Sequence, residues 1–160
     1  MPDTATISAA ARLVHRLRHL CFRLLRPMTL GAQGVVLDGQ GRVFLVRHTY
    51  VPGWHFPGGG VEAGESVAGA LARELREEGN IALDAPPVLH GIFHNTRFSR
   101  RDHVAVLVAR QFHQTGPRDP DIEIAETGFF ACHALPEGAT TAVRARLAEI
   151  LDGAALSERW

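Results

Sequence analysis

Three glutamates, Glu74, Glu77 and Glu78, stand at i, i+3 and i+4 in the stretch GGGVEAGESVAGALARELREEGN, residues 58–80. On a helix that spacing lines the carboxylates along one narrow strip, where each like-charged pair costs about 0.2–0.5 kcal/mol. The strip borders an apolar side made by Val67, Ala70, Leu71 and Leu75, so its members are not all free in water. Partly buried carboxylates packed that closely either take up protons or hold a cation. Oxygen donors suit a hard ion such as Mg²⁺, or Mn²⁺ in its place, which keeps waters for substrate phosphates. No histidine or cysteine joins the strip, which argues against zinc. The competing reading is a solvated acidic helix end, paired locally with Arg73 and Arg76. Gly58, Gly59, Gly60 and Gly64 precede the helix and let backbone approach a ligand closely.

The chain that must position these groups has 160 residues, enough for one domain with a sizeable core. Seventeen basic and seventeen acidic side chains cancel, so no overall field favours DNA or a membrane. Cys21 and Cys132 have no metal-ligand spacing and read as buried free thiols of a reducing compartment. No uninterrupted apolar run reaches transmembrane length, and arginines interrupt the N-terminus too often for a secretory signal. A cytoplasmic location is expected.

Residues 9–26 read as a helix, with Leu13, Val14, Leu17, Leu20, Cys21, Leu24 and Leu25 on one stripe and Pro27 ending it. Arg12, Arg16, Arg23 and Arg26 lie on its other side. Packing on the domain or against a second copy, as in a homodimer, is favoured over contact with an anionic membrane. The chain thus divides into an N-terminal amphipathic helix, residues 1–27, and a domain, residues 28–155. Within the domain, residues 29–38 and 42–48 flank the turn GQG and are expected to form a hairpin. TYVPGWHFPGGG reads as a loop into the acidic helix, which Ser66 caps. VLHGIFHN, DHVAVLVARQF and IEIAETGFFACHAL are further strand signals, and residues 141–152 form a closing helix. Strands and helices alternating around hairpins indicate an α/β fold, a mixed sheet between helices.

From Gly59 the acidic stretch runs five residues to Glu65, seven to Arg73-Glu74-Leu75, one to Glu77-Glu78, and one to Asn80-Ile81. This resembles the signature of the Nudix hydrolases, G-x5-E-x7-R-E-U-x-E-E-x-G-U with U apolar, except that Asn80 replaces the last glycine. The replaced glycine sits where a helix ends in left-handed backbone, and asparagine tolerates that conformation best among other residues.

The resemblance implies a Nudix-type α/β/α sandwich and hydrolysis of a nucleoside diphosphate linked to another group, by water attack at phosphorus. It implies Glu77 and Glu78 as principal metal ligands and Glu74 as a further ligand or the base. It also implies the Gly59 carbonyl in the metal shell and Arg73 clamping the loop through Glu65. A further acid from outside the stretch is expected, Glu123 in preference to Glu126. Arg47 is a candidate phosphate clamp and Tyr50 and Trp54 could stack on a base, although packing under the loop accounts for the aromatics equally. Arg97, Arg100 and Arg101 read as a solvated hairpin end. The substrate is expected to be a small nucleotide derivative such as a nucleotide sugar, ADP-ribose or a (d)NTP. An RNA 5′-end pyrophosphohydrolase and a non-catalytic nucleotide-binding module are the alternatives.

Overall fold

Strand β6 (Asp102–Ala109) shows how the sequence builds three layers. Side chains alternate across a strand, and here both sides are apolar: Ala105, Leu107 and Ala109 face one buried cluster, Val104 and Val106 another. A strand apolar on both faces must be covered on both. The computed structural model, which describes residues 27–160, does this with two helices, α1 (Val67–Gly79) and α2 (Thr141–Leu151). Ala70, Leu71 and Leu75 of α1 join the first cluster, and Val143 and Leu147 of α2 join the second. Leu71 and Leu75 are fully buried, each contributing about 1.5–3 kcal/mol of transfer free energy.

The main sheet has the order β3-β1-β6-β5, from β1 (Thr29–Val36), β3 (Gly58–Gly60), β5 (Val88–His94) and β6. Strands β1 and β6 run parallel, from Thr29 opposite Asp102 to Val36 opposite Ala109, while β3 and β5 are antiparallel to their neighbours. Two smaller pairs complete the fold: β2 (Arg42–His48) with β8 (Ile124–Ala131), and β4 (Ile81–Leu83) with β7 (Phe112–Gln114). The architecture is the expected α/β sandwich with a mixed sheet.

The hairpin expected from residues 29–38 and 42–48 does not form. The turn is real, since Asp38 Oδ1 accepts from the backbone N–H groups of Gln40 and Arg42 at 2.9 Å each. Only one bridge, Leu37 opposite Val43, joins the two segments; β2 leaves to pair with β8. Val43 to Val46 are all fully buried, a continuous apolar run that an exposed hairpin arm would not carry. Where β2 meets β8 the register slips: Arg47 lies opposite Glu126 but His48 opposite Ile124, leaving Ala125 as an extra residue. The slip reverses the alternation along β8, so Ile124 and Phe129 both pack on the α1 side.

The N-terminal helix expected over residues 9–26, with Cys21 and its arginines, lies outside the described residues. Among the described residues no helix is long and apolar enough to cross a membrane. Beyond α2 the chain folds back along β5: Trp160 N donates to His94 O at 3.2 Å and its ring packs against Phe93.

Candidate active site

Helix α1 begins at Ser66, whose Oγ accepts from Gly69 N at 3.0 Å. It seats closely on β1 because Gly34 leaves room for Leu71; a Cβ there would lie 2.7 Å from Leu71 Cδ1. That seating fixes the rotation of the glutamate strip. Glu78 points inward, only 5% exposed, and its Oε2 accepts from Gly58 N at 2.8 Å. Burial pushes its carboxyl up to about 8, against the pull of the Gly58 N–H, and the charges of Glu74, Glu123 and Glu77 push the same way. Glu74 is raised as well, mainly by burial, although Arg73 draws it back. Glu77 keeps 59% of its side chain in solvent.

Strand β3 brings its backbone against the strip. A Cβ on Gly59 would lie 2.3 Å from Glu74 Oε1, so a larger residue there would push that carboxylate out of its present place. Arg73 ties loop to helix: Nε and Nη2 donate to Glu65 Oε1 and Oε2 at 3.2 Å each, Nη2 to Gly60 O at 3.1 Å, and Nη1 to Glu74 Oε1 at 2.7 Å. The guanidinium in turn lowers the Glu65 carboxyl.

The helix ends as its sequence requires. Asn80 takes φ 52°, ψ 33°, the left-handed conformation, and its N–H donates back to Arg76 O at 3.2 Å. Its side chain does more: Nδ2 donates to Pro117 O at 3.0 Å. Two neighbours act with it, Gln114 Nε2 donating to Gly79 O and Arg118 Nε to Glu77 O, both at 2.8 Å. Carbonyls at a helix end need such donors, and here they come from the end of β7 and the polar loop that follows it. The same loop sets Glu123. Asp121 is paired with Arg118, and its Oδ1 accepts from the backbone N–H groups of Glu123 and Ile124 at 2.8 Å each. Sequence reading missed Arg118, Gln114 and Asp121; the only signal for them was a polar segment with an Asp two residues before Glu123.

Of the two acids offered outside the strip, the structure brings only Glu123 toward it, where its charge acts on Glu74, Glu78 and His48. Glu126 instead pairs with Arg47 across β2 and β8. Arg47 therefore holds a carboxylate and lies over the Trp54 ring at 5.7 Å. Trp54 is 7% exposed with its ring against Phe130 at 4.6 Å, which corrects its candidacy for stacking on a base: it is core. Tyr50 is 65% exposed at the site's edge, its O–H donating to Glu123 Oε1 at 3.3 Å. Arg97, Arg100 and Arg101 lie exposed in the β5–β6 turn.

A hard divalent cation fits this donor set. All the donors are oxygens, the buried Glu78 needs a positive partner to ionise, and the Gly59 cradle holds Glu74 against the backbone. Among the described residues no three acidic, histidine or cysteine side chains already converge on one point.

A carboxylate-bearing helix laid over a glycine strand in an α/β sandwich defines a class of site built for a cation and a polyanion. Residues 27–152 match the NUDIX domain, and the chain belongs to the Nudix family. It is 37% identical over 78 residues to a putative 8-oxo-dGTP diphosphatase of Bacillus subtilis (strain 168), covering 48% of this chain and 50% of the relative. It is 46% identical over 59 residues to an RNA pyrophosphohydrolase of Dinoroseobacter shibae, covering 35% of this chain and 37% of the relative. The chain thus spans half or less of the length of these curated relatives. The crystal structure of a MutT NUDIX hydrolase from Burkholderia pseudomallei superposes with a TM-score of 0.66 at 27% identity, over 76% of this chain and 97% of that one.

Proposed function

We propose that this chain hydrolyses the diphosphate bond of a small nucleoside diphosphate derivative, such as a nucleotide sugar, ADP-ribose or a (d)NTP, by attack of water at phosphorus with Mg²⁺ or Mn²⁺. The observation that carries this reading is Glu78, a buried carboxylate hydrogen-bonded to the glycine strand and surrounded by other acids rather than by cations. A fold that needed only a core would place a hydrophobic side chain there. Bound Mg²⁺ would neutralise the diphosphate and activate water. Glu77 and Glu78, with the Gly59 carbonyl, would hold the cation, and Glu74 would be a further ligand or the base. Arg73 and Glu65 lock the glycine loop to the helix, and Glu123 and Glu74 are the carboxylates left to take the proton from the attacking water. Tyr50 is the aromatic free to contact a substrate.

A second reading, hydrolysis at the 5′ end of RNA, is favoured by one observation: Arg97, Arg100 and Arg101 are exposed and have no acidic partner among the described residues. One experiment separates the readings. Nucleotide sugars, ADP-ribose, 8-oxo-dGTP, ordinary dNTPs and 5′-triphosphorylated RNA are incubated with Mg²⁺, and products are identified by chromatography. Cleavage of a small nucleotide that disappears with EDTA supports the proposal. Turnover of RNA alone, or none with any substrate, overturns it.

A further inference from the structure

His48 has no role in the motif, yet it lies against the most buried acid of the site. Alternation along β2 puts it on the same side as Phe44 and Val46, the face that α1 covers. Its side chain is 11% exposed, and Nε2 lies 3.8 Å from Glu78 Oε1, on the carboxylate oxygen that Gly58 does not hold. The ring is braced by Tyr50 at 5.2 Å and His55 at 5.9 Å between centroids. Its Nδ1 is buried with no partner. Beside an ionised Glu78 a proton on Nε2 faces an acceptor, whereas one on Nδ1 would be an unsatisfied buried donor, so the proton then belongs on Nε2. At 3.8 Å the contact is longer than a hydrogen bond, and a shift of about 1 Å in either side chain would close it.

We propose that His48 is a positioning residue for Glu78: its Nε2–H orients Oε1 as the Gly58 N–H orients Oε2, so the carboxylate is aimed from both sides. The proposal rests on the metal-site reading above. Outer partners of metal ligands govern affinity and activity by about 10–100-fold in general. A residue this far from the acidic strip in sequence carries no mark of that work, because only the strand's alternation brings it underneath.

The test uses the full chain and Mn²⁺ itself, titrated by electron paramagnetic resonance, beside steady-state kinetics and thermal melts. Glu78→Gln should weaken Mn²⁺ binding by tenfold or more. His48→Phe, which keeps the ring and removes the donor, should weaken it about tenfold and lower kcat similarly, with KM for the nucleotide unchanged. His48→Gln, whose amide nitrogen reaches the place of Nε2, should stay within about threefold of wild type. His48→Asn, whose amide falls at the place of Nδ1, should behave like Phe. Absence of Mn²⁺ binding in the wild type, or wild-type binding in Glu78→Gln, overturns the metal site and this proposal with it. A normal Glu78→Gln defect with His48→Phe within twofold of wild type, or with Gln as poor as Phe, overturns the role of His48 alone. If the Phe variant fails to fold, the order of Gln and Asn decides: Asn equal to or better than Gln refutes the proposal.

Discussion

Two glutamates on opposite sides of the sheet are both largely shielded from solvent, Glu78 the deeper of the two, and behave in opposite ways. Glu78, on α1, has 7% of its side chain exposed, and Glu149, on α2, has 4%. Burial alone would raise both carboxyls. Glu149 is nonetheless lowered, because His90, the Ser157 N–H and Arg146 all hydrogen-bond to it and outweigh the burial. Glu78 is raised to about 8, having one backbone donor and three acidic neighbours. The difference separates a carboxylate whose charge the fold satisfies from one whose charge it leaves uncompensated. Arg146 makes the contrast sharper: 1% exposed, it stacks at 3.8 Å over Phe93 and pairs with Glu149 at 2.6 Å, so the α2 side closes its own charges.

Removing each charge should break the comparison in a different place. Glu78→Gln is expected to lower turnover by about a hundredfold or more, the scale of losing a key electrostatic group, while the melting temperature in EDTA stays level or rises. Near-wild-type Mg²⁺-dependent turnover in this variant would remove Glu78 from the site. On the other side, Arg146→Met strands Glu149 and should cost about 3 kcal/mol in urea unfolding, with activity per folded molecule unchanged. A stability loss under 1 kcal/mol would show that the α2 cluster is ornamental.

The same pair predicts opposite pH windows for the metal-free protein. Glu149 titrates below its ordinary 4.5 when folded, so it releases its proton more readily there than in the unfolded chain. Its stabilisation is complete above 4.5 and disappears as pH falls through the lower, folded value. Glu78 is raised from 4.5 to about 8, so the folded state holds its proton better. Its share of stability is present below 4.5 and is lost as pH rises toward 8. Melts in EDTA across pH 3 to 9 should therefore flatten on the alkaline side in Glu78→Gln and on the acid side in Glu149→Gln. Flattening on the same side in both would contradict the contrast.

The smallest effect concerns Asn80. Glycine keeps its left-handed backbone but gives up the bond to Pro117 O, so Asn80→Gly should cost about 1 kcal/mol or less with turnover nearly unchanged. Asn80→Val, which resists positive φ, should be clearly worse in both. Equal loss from the two would place the weight on the side-chain bond rather than the backbone.

What was legible in the sequence followed from local rules. The spacing of Glu74, Glu77 and Glu78, the Ser66 cap and the tolerance of Asn80 for a helix end are all written within one turn of the residues concerned. Strand partners are not. The apolar run Val43–Val46 reads equally well as a hairpin arm or a doubly covered strand, and the choice depends on β8, more than 70 residues away. His48 and Arg118 stayed hidden for the same reason. Each reaches the acidic helix from another element, and an isolated histidine or arginine carries no spacing to betray it. Trp54 erred the other way, since a tryptophan beside a glycine loop looks the same whether it faces a base or the core.

The parallel pairing of β1 with β6, and the departure of β2 to β8, has a consequence for synthesis. As the chain emerges from the ribosome, β1 can meet the short β3 early but its full-length parallel partner only when Asp102–Ala109 is out, and β2 must wait for Ile124–Ala131. Such distant pairings close late and slowly. Until then Val43–Val46 is an uncovered β-prone run, the kind of segment that associates with other nascent chains. The acidic helix, encoded between the waiting strands, comes out before their partners do, with Glu65, Glu74, Glu77 and Glu78 still in water. The fold thus leaves an apolar strand without its partner until most of the domain has been made.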